Sequence, residues 1–473
     1  MTTLLHRRGR RCLPYLVLLF AAAAAAAPPD VLFVVADDLR CDLGCYGADH
    51  VLSPHLDRLA AGGRLFRRAY CQQAVCNPSR ASVMTGLDPW TLGVYDLHTH
   101  FRERRKDVLT LPQAFKAAGY HARGIGKVYH NWVQENRRGD APSWSVPQMM
   151  HYANHSDDVP FVGRVPANRT DLPKCFDLDV PDEAYFDGRI ADLAVAAIEA
   201  EREEPLFLAV GFWKPHSPFN APAKYWDLYD RQSLPDVATP RPEGVPDVAM
   251  HDGREILRAF RKRPGKRPTD AEARAMRHGY YAAISYLDAQ VGKLLDAVER
   301  TGRETVVVFW SDHGYHLGEK TLWAKTSNFE LDARVPLIVA GPGIRPGETD
   351  ALAELCDLYP TLAERCGVDA PADLGGVSLV PVLDDPSASV RDAAFTWHPR
   401  PAYVSPGEEP DVMGRSVRTD RYRYTQWRTW PDGKVVAEEL YDHAADPAES
   451  RNAAGDEQLD AFRWRIEREF GTP

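Results

Sequence analysis

The chain has 473 residues, of which 44% are hydrophobic and 26% charged, and its formal net charge at pH 7 is −10. This length suffices for one large core and a smaller domain, and the composition is that of a soluble globular enzyme. The negative charge and the lack of a basic stripe with interleaved aromatic residues exclude nucleic acid as a partner. A sulfated or phosphorylated substrate would therefore need positive charge that is local to a pocket.

Residues 1–27 have the pattern of a secretory signal peptide. Four Arg residues between positions 7 and 11 precede an apolar stretch, 13–27, that ends in small residues. The stretch is shorter than the ~20 residues of a membrane span, and no later segment is long and apolar enough to be one. We therefore expect export through the secretory pathway, to a periplasmic, extracellular or lysosomal destination set by the host, with no transmembrane segment.

The eight cysteines match no zinc-binding spacing. Cys12 belongs to the predicted signal peptide, so seven remain and at least one is unpaired if the others form disulfides. Cys356 and Cys366 lie ten residues apart on one predicted helix, a rise of ~15 Å that is too long for a disulfide. Glycosylation sequons occur at Asn154 and Asn168 and matter only if the host glycosylates secreted proteins.

Buried-strand patterns alternate with amphipathic helices along most of the chain. Continuous apolar runs predict strands at 31–36, 65–74, 206–212, 305–310 and 336–340, with a further strand that ends at Gly124. Helices are predicted between Ser53 and Gly62, from Pro78, and at 110–118, 185–204 and 270–301. This alternation predicts a large, mainly parallel sheet that is flanked by helices on both faces.

Two further features divide the chain. Short strand-like runs at 393–398, 415–419, 422–427 and 438–441, followed by a helix at 456–470, predict a small antiparallel sheet closed by a helix. We therefore expect a catalytic α/β domain at 28–380 and a smaller α+β subdomain at 381–473. The proline-rich segments 131–182 and 232–268 are predicted to be surface loops at the rim of the site.

Cys76 lies where a predicted strand passes into the helix that starts at Pro78. The N-terminus of a helix favours a nearby anion, and proline suits the first helical turn. Arg80 on the same turn adds a fixed positive charge. The placement predicts a reactive cysteine, and a buried structural thiol is the alternative.

Like Cys76, several other polar residues directly follow a predicted strand. In an α/β sheet the carboxyl ends of the strands form the edge where ligands bind, so these side chains are expected to converge. Each one alone could be a solvated turn residue. The set comprises Asp37 and Asp38, Lys127 and His130, His216, Asp312 and His313, and Lys325 in the adjacent loop.

The motifs around these residues resemble those of type I sulfatases of the alkaline phosphatase superfamily, over nearly the whole mature chain. The most specific is Cys76-Asn-Pro-Ser-Arg80 followed by Met84-Thr-Gly86. Others are Val35-Ala-Asp-Asp-Leu-Arg40, Gly126-Lys-Val-Tyr-His130, Lys214-Pro-His216, Ser311-Asp-His-Gly314 and Ala324-Lys-Thr-Ser-Asn-Phe329. One departure is Leu87, where the family signature commonly has Arg.

The resemblance implies an alkaline phosphatase-like fold, one covalent modification of the chain and one bound metal ion. Cys76 would be oxidised to formylglycine during synthesis by a formylglycine-generating or equivalent sulfatase-maturing enzyme, since the Cys-x-Pro-x-Arg pattern is intact. A divalent cation, Ca²⁺, would be held by Asp37, Asp38, Asp312 and His313 together with the modified Cys76. The formylglycine hydrate would attack sulfur and form a covalent sulfate intermediate.

The resemblance also implies a role for each remaining site residue. Lys127 and Lys325 would hold the sulfate oxygens with the cation, and Arg80 would steady the formylglycine. His216 would protonate the departing sugar oxygen. His130 would take a proton from the remaining hydroxyl, which expels sulfate and regenerates the aldehyde.

The implied function is hydrolysis of sulfate esters on a sulfated saccharide. His313, where many sulfatases have Asn, points to the branch that removes the 2-O-sulfate of a uronic acid. Three alternatives stay open at this point. They are a phosphodiesterase or phosphonate monoester hydrolase of the same superfamily, a sulfatase for another sulfated polysaccharide, and a catalytically silent carbohydrate-binding protein.

Overall fold

The structure is a computed structural model that describes residues 27–130, 139–151, 167–262, 267–431, 433–455 and 459–470. The predicted signal peptide up to residue 26, with Cys12, and the sequon at Asn154 lie outside the described residues. Within the described part of the chain, no helix is both long and apolar enough to cross a membrane. The seven cysteines after Cys12 are all described, and none forms a disulfide.

The strands number from β1 to β15 in chain order. They are β1 (Asp30–Asp37), β2 (Arg64–Tyr70), β3 (His121–Gly126), β4 (Cys175–Leu178), β5 (Leu206–Pro215), β6 (Phe219–Pro222), β7 (Thr305–Ser311), β8 (His316–Leu317), β9 (Trp323–Ala324), β10 (Arg334–Ala340), β11 (Gly347–Glu354), β12 (Ala394–Arg400), β13 (Val412–Arg418), β14 (Tyr422–Thr429) and β15 (Val435–Asp442).

The helices number from α1 to α13 in the same way. They are α1 (Pro54–Ala61), α2 (Cys76–Thr85), α3 (Pro89–Leu92), α4 (Phe101–Arg104), α5 (Leu111–Ala117), α6 (Phe186–Glu199), α7 (Ala223–Trp226), α8 (Arg254–Leu257), α9 (Asp270–Thr301), α10 (Glu330–Ala333), α11 (Leu358–Cys366), α12 (Val380–Asp384) and α13 (Leu459–Phe470).

A seven-stranded sheet forms the centre of the molecule, in the order β11-β2-β10-β7-β1-β5-β3. All neighbouring strands pair in parallel except β10, which runs antiparallel to both β2 and β7. The sheet is therefore mixed and mainly parallel, as the sequence predicts. Every residue of β1 is buried, which explains why this strand reads as an unbroken apolar run.

Helices cover both faces of this sheet. Helices α1, α6 and α9 pack on one face, in a cluster that includes Leu56, Ile190 and Leu287. Helices α2, α5 and α11 pack on the other, in a cluster that includes Val83, Phe115 and Leu362. The long helix α9 has the predicted bounds, because a capping box at Thr269 opens it and a left-handed Gly302 closes it.

Several elements differ from the predicted ones. Helix α6 ends at Glu199 rather than 204, because the backbone at Ala200 is extended and the residues that follow offer no apolar face. Strand β2 ends at Tyr70, and α2 starts at Cys76 itself, two residues before Pro78. The parallel pair of β4 with β6 lies partly in a segment predicted as loop, and β11 was not predicted. These strands are stabilised by pairing with residues distant in sequence, which local patterns do not encode.

The C-terminal segment folds as predicted into an antiparallel sheet, β12-β13-β14-β15, with α13 packed against it. This small sheet contacts the large one directly. The backbone N–H of Trp397 donates to the carbonyl of Gln72 at 2.7 Å, between β2 and α2. The segment that leads into Cys76 is thus held from both sheets.

Candidate active site

The carboxyl ends of β1, β3, β5 and β7 lie side by side at one edge of the large sheet. Strand β1 ends at Asp37 and is followed by Asp38, whose φ of 65° is in the left-handed region. The amide of Asp38 donates to Oδ1 of Asp312, which follows β7, at 3.2 Å. The turn after β1 is thereby fixed to the end of β7, and two aspartates face the same buried space.

Cys76 is the first residue of α2, after an extended Val75. Its Sγ lies 3.4 Å from Oδ1 of Asp37 and 3.4 Å from Nε2 of His313. Burial, and then the charge of Asp37, raise the pKa of the Cys76 thiol well above its ordinary value despite Lys127 and Lys325 nearby. Burial therefore opposes formation of the thiolate, which the start of a helix alone would favour.

Four side chains at this edge form a group that suits a metal ion. Asp37, Asp38, Cys76 and His313 are all buried, and one ligand atom from each lies within 4.8 Å of the others. Two carboxylates, joined by an oxygen on residue 76 after modification, match the preference of hard cations such as Ca²⁺. Burial and the charges of Glu255, Asp37 and Asp312 raise the pKa of Asp38 well above its ordinary value, although Lys325 opposes this. A bound cation would relieve that repulsion, so the donor set fits one.

The tautomer of His313 is set by its neighbour. Its Nδ1 lies 3.0 Å from the carbonyl of Gly314, which can only accept, so Nδ1 carries the proton. The bare Nε2 then faces Cys76 and Asp38, at 3.4 Å from each. Burial lowers the pKa of His313, which keeps the ring neutral and able to act as a ligand.

Two buried lysines flank the aspartates. Nζ of Lys127, just after β3, donates to Oδ2 of Asp37 and lies 5.0 Å from the centre of the Trp213 ring. Nζ of Lys325 donates to the two carboxylate oxygens of Asp38 at 3.0 and 3.1 Å. Each lysine is thus paired with one of the two adjacent aspartates.

Arg80 and Asp312 connect α2 to the sheet. Nε of the fully buried Arg80 donates to Oδ2 of Asp312 at 2.8 Å, Nη1 donates to the backbone carbonyls of Lys127 and Val128, and Nη2 donates to that of Ala36 in β1. Oδ1 of Asp312 lies 3.6 Å from Nε2 of His313. Arg80 therefore orders the ends of three strands around Cys76, and Asp312 lies beside the four-residue group.

His216 follows β5 and lies at the open side of the site. Its Nδ1 contacts the carbonyl of Ser217, and its Nε2 lies 3.7 Å from Oδ2 of Asp38 and 3.6 Å from Oε1 of Glu255. Nε2 is thus the ring nitrogen that faces two carboxylates. The geometry suits a group that donates a proton.

Glu255 and Tyr403 belong to the site but were not among the predicted residues. Oε2 of Glu255, in α8, lies 2.7 Å from Nζ of Lys325 and accepts a hydrogen bond from the Tyr403 hydroxyl at 3.0 Å. Glu255 lies in a segment predicted as loop, and Tyr403 lies in the C-terminal subdomain. The only sequence signal was an acidic residue in a proline-rich stretch, which is common on surfaces.

His130 follows β3, three residues after Lys127. With Asn77, His100, Tyr129 and His151 it lines a small cavity beside the start of α2. Asn77 is the neighbour of Cys76, so this cavity adjoins the site. The structure thus brings together nine of the ten predicted residues and places His130 at their border.

Comparison with known proteins identifies the class that this fold and site define. The model of the Sulfatase family matches residues 29–368, and that of the N-sulphoglucosamine sulphohydrolase C-terminal region matches 318–471. The chain belongs to the sulfatase family, and it is a type I sulfatase. It is accordingly a sulfuric ester hydrolase, an activity that requires a metal ion and formylglycine in this family generally.

Among individual proteins the chain is similar to iduronate 2-sulfatase. It is 34% identical to the human enzyme, with 91% of this chain and 92% of that protein covered, and 33% identical to the mouse enzyme. A sulfatase of Formosa agariphila is 30% identical, over 93% of this chain and 85% of that protein.

Solved structures share the fold. A phosphonate monoester hydrolase from Silicibacter pomeroyi matches with a TM-score of 0.75 and 25% identity, covering 93% of this chain and 94% of that one. A 2-O GAG sulfatase matches with a TM-score of 0.68, 24% identity and coverage of 94% and 93%. These structures are alkaline phosphatase-like, which confirms the predicted fold class.

Proposed function

We propose that this enzyme removes the 2-O-sulfate of a uronic acid in a sulfated saccharide. The observation that carries the proposal is the similarity to human iduronate 2-sulfatase, at 34% identity over 91% of this chain and 92% of that protein. His313 in the buried acidic group, where many sulfatases have Asn, supports the same specificity. The family's general activity supports sulfate ester cleavage, and the specificity is the step we add.

The catalytic groups follow from the arrangement of the side chains. Formylglycine made from Cys76 would supply the attacking oxygen, and Asp37, Asp38, His313 and Asp312 would hold a cation, Ca²⁺, that would supply positive charge beside it. Lys127 and Lys325 bind the sulfate oxygens, because both ammonium groups face the same buried space. Arg80 keeps residue 76 in place through Asp312 and the backbone after β3.

Two histidines move protons in this scheme. His216 would donate a proton from Nε2 to the departing sugar oxygen, since this nitrogen lies beside Asp38 and Glu255 at the open side of the site. His130, at the cavity beside Asn77, accepts a proton when the sulfate leaves residue 76. The two proposed proton transfers therefore take place on different sides of the site, one at its open side and one towards α2.

Export and maturation complete the proposal. The predicted signal peptide would direct the chain into the secretory pathway, and a sulfatase-maturing enzyme would act on Cys76 before folding is complete. Leu87 lies in the apolar cluster under α2, outside the Cys-x-Pro-x-Arg pattern, so its difference from Arg leaves that pattern intact. Mass spectrometry of the peptide around Cys76 should find an aldehyde in place of the thiol. An unaltered thiol in active protein contradicts the mechanism.

The specificity is tested with defined sulfated disaccharides, scored by the position that loses sulfate. We expect loss of the 2-O-sulfate of the uronic acid. Activity confined to the 6-O-sulfate of the hexosamine rules out the proposed substrate.

A phosphonate monoester hydrolase is the second candidate, because the fold matches that of the Silicibacter pomeroyi enzyme with a TM-score of 0.75. Rates on an aryl sulfate and on an aryl phosphonate monoester separate the two functions. We expect the higher kcat/KM on the sulfate, and a clear preference for the phosphonate favours the second candidate.

A further inference from the structure

A groove of about 480 Å³ opens beside the active site, within the size range of ligand pockets. Its walls include four basic residues, Lys174, Arg254, Arg258 and Arg261, and its inner end includes Glu255 and Tyr403. The basic residues come from the segment before β4 and from α8 with the turn after it. None of the four was predicted to be a site residue.

The groove is continuous with the site through Glu255. This carboxylate contacts Nζ of Lys325 at 2.7 Å, and Lys325 contacts Asp38. Glu255 also lies 3.6 Å from Nε2 of His216. A saccharide whose sulfate lies between the lysines and whose leaving oxygen lies at His216 would extend past Glu255 into the groove.

The arginines share one side of the chain because of their spacing. Positions 254, 258 and 261 are four and three residues apart on consecutive helical turns, α8 and the turn Arg258–Phe260. Ala259, four residues after Glu255, leaves space between them. The result is a row of guanidinium groups along the groove.

The charge of this row is largely uncompensated. Arg254 lies 3.6 Å from Asp252 and over the ring of Tyr403 at 5.5 Å. Among the described residues, the side chains of Lys174, Arg258 and Arg261 form no ion pair, and all three are exposed. Four basic side chains with few acidic partners give the groove a local positive potential that attracts anions, on a protein whose net charge is −10.

We propose that this groove binds a second anionic group of the substrate, a sulfate or a carboxylate other than the ester that is cleaved. The inference rests on the proposed function, because it assumes a saccharide with its scissile sulfate at Lys127 and Lys325. Guanidinium groups bind both kinds of anion through paired hydrogen bonds. The enzyme therefore selects multiply anionic saccharides over singly charged sulfate esters.

The test measures four substrates with the wild-type enzyme and with the double variant Arg258→Ala/Arg261→Ala. Three are disaccharides: a 2-O-sulfated uronic acid disaccharide, the same disaccharide with a further 6-O-sulfate on the hexosamine, and the singly sulfated one with its carboxyl methyl-esterified. An aryl sulfate serves as the substrate without a second anion. Arg345→Ala is the control variant, because this exposed residue follows β10 at the opposite edge of the sheet.

We expect the double variant to raise KM about tenfold or more on the substrate whose second anion the groove binds, and to change kcat/KM on the aryl sulfate less than twofold. If the 6-O-sulfate is that anion, only the disulfated substrate responds to the variant. If the second anion is the carboxylate, the double variant raises KM for both disaccharides with a free carboxylate and leaves KM for the methyl ester unchanged. Raising the NaCl concentration should increase the KM of the wild-type enzyme most for that same substrate.

Equal effects of the variant on all substrates, or none on any, overturn the inference. Failure of the proposed function looks different, because the wild-type enzyme then removes the 2-O-sulfate from none of the disaccharides. In that case calorimetric binding of the disulfated disaccharide to wild type and double variant still tests the groove. Equal affinities would then refute it.

Discussion

Glu255 connects the proposed proton donor to a proposed sulfate-binding lysine, since its two oxygens face His216 and Lys325. Replacing it with Gln keeps the shape but removes the charge that orients both groups. We expect Glu255→Gln to lower kcat/KM on an aryl sulfate by about 10- to 100-fold, the usual cost of losing a residue that positions catalytic groups. Initial rates and thermal melting of the same samples measure it.

The matched control for this change is Asp252→Asn, an exposed carboxylate in the same segment. It should leave both activity and melting temperature near those of the wild type. Tyr403→Phe removes only the hydroxyl that donates to Glu255 and should have an intermediate effect. If Glu255→Gln behaves like Asp252→Asn, Glu255 has no positioning role.

The buried group of Asp37, Asp38, Cys76 and His313 predicts that a cation stabilises the folded protein. An ion that binds only the native state at 100 times its Kd adds about 3 kcal/mol to the free energy of unfolding. We expect chelation to lower both the melting temperature and the activity, and added Ca²⁺ to restore them. Asp38→Asn should abolish the Ca²⁺-dependent shift in melting temperature, whereas a shift that persists unchanged in this variant places the cation elsewhere.

Among individual site residues, sequence patterns predicted those that follow strand ends. They missed those that reach the site from other parts of the chain. Asp37, Asp38, Asp312 and His313 are predictable because parallel strands end at one edge. Glu255 contacts Lys325 across 70 positions and Tyr403 across 148. No local spacing encodes such contacts, so only the folded chain reveals them.

Strand β3 shows how an element's backbone sets the position of Lys127, a proposed sulfate-binding residue. Gly126 has a φ of 76°, and a Cβ there would lie 2.1 Å from the carbonyl oxygen of Gly211 in β5. The next amide, of Lys127, donates to that same carbonyl at 2.7 Å. We expect Gly126→Ala to lower the free energy of unfolding by more than about 3 kcal/mol, because a backbone atom cannot yield.

Gly119→Ala is the control, measured with it by thermal or denaturant unfolding. Gly119 has a φ of 92° in the turn before β3, but no atom lies within 4 Å of its added Cβ. It should cost only the 1–2 kcal/mol or so of left-handed strain. Similar losses for the two variants would show that φ alone, rather than contact with β5, requires glycine at 126.

The elements themselves were predictable to different degrees for physical reasons. The bounds of α9 and the buried strand β1 follow from an apolar stripe with a cap and from a continuous apolar run. The direction of β10 did not follow, because a short buried run has the same pattern in parallel and antiparallel pairing. Strands β4 and β6, of four residues each, are held by pairing with each other and carry little signal.

Across the whole molecule, the small sheet and the large one share buried charges. Arg423 in β14 contacts Glu330 of α10 and lies 2.9 Å from Oε1 of Glu449. Arg418 of β13 also pairs with Glu330, at 3.2 Å. The domain boundary at residues 380 and 381 stays a prediction, but these contacts cross it, and Tyr403 carries the same connection into the active site.

The pH dependence of stability tests this shared cluster. Burial alone would raise the pKa of Glu449, but the hydrogen bond from His443 and the charge of Arg423 lower it from 4.5 to about 2. A carboxyl whose pKa is lower in the folded state stabilises that state above its unfolded pKa, and this contribution disappears as the pH falls through the folded value. The shift corresponds to about 3 kcal/mol at pH 7.

We expect Glu449→Gln to lower the melting temperature at pH 7, and the difference in melting temperature from wild type to shrink between pH 4.5 and about 2. Glu467→Gln, an exposed change on α13, should show no such pH-dependent difference. If the difference in melting temperature between Glu449→Gln and wild type is as large at pH 3 as at pH 7, then packing, rather than charge, joins the two sheets at this position.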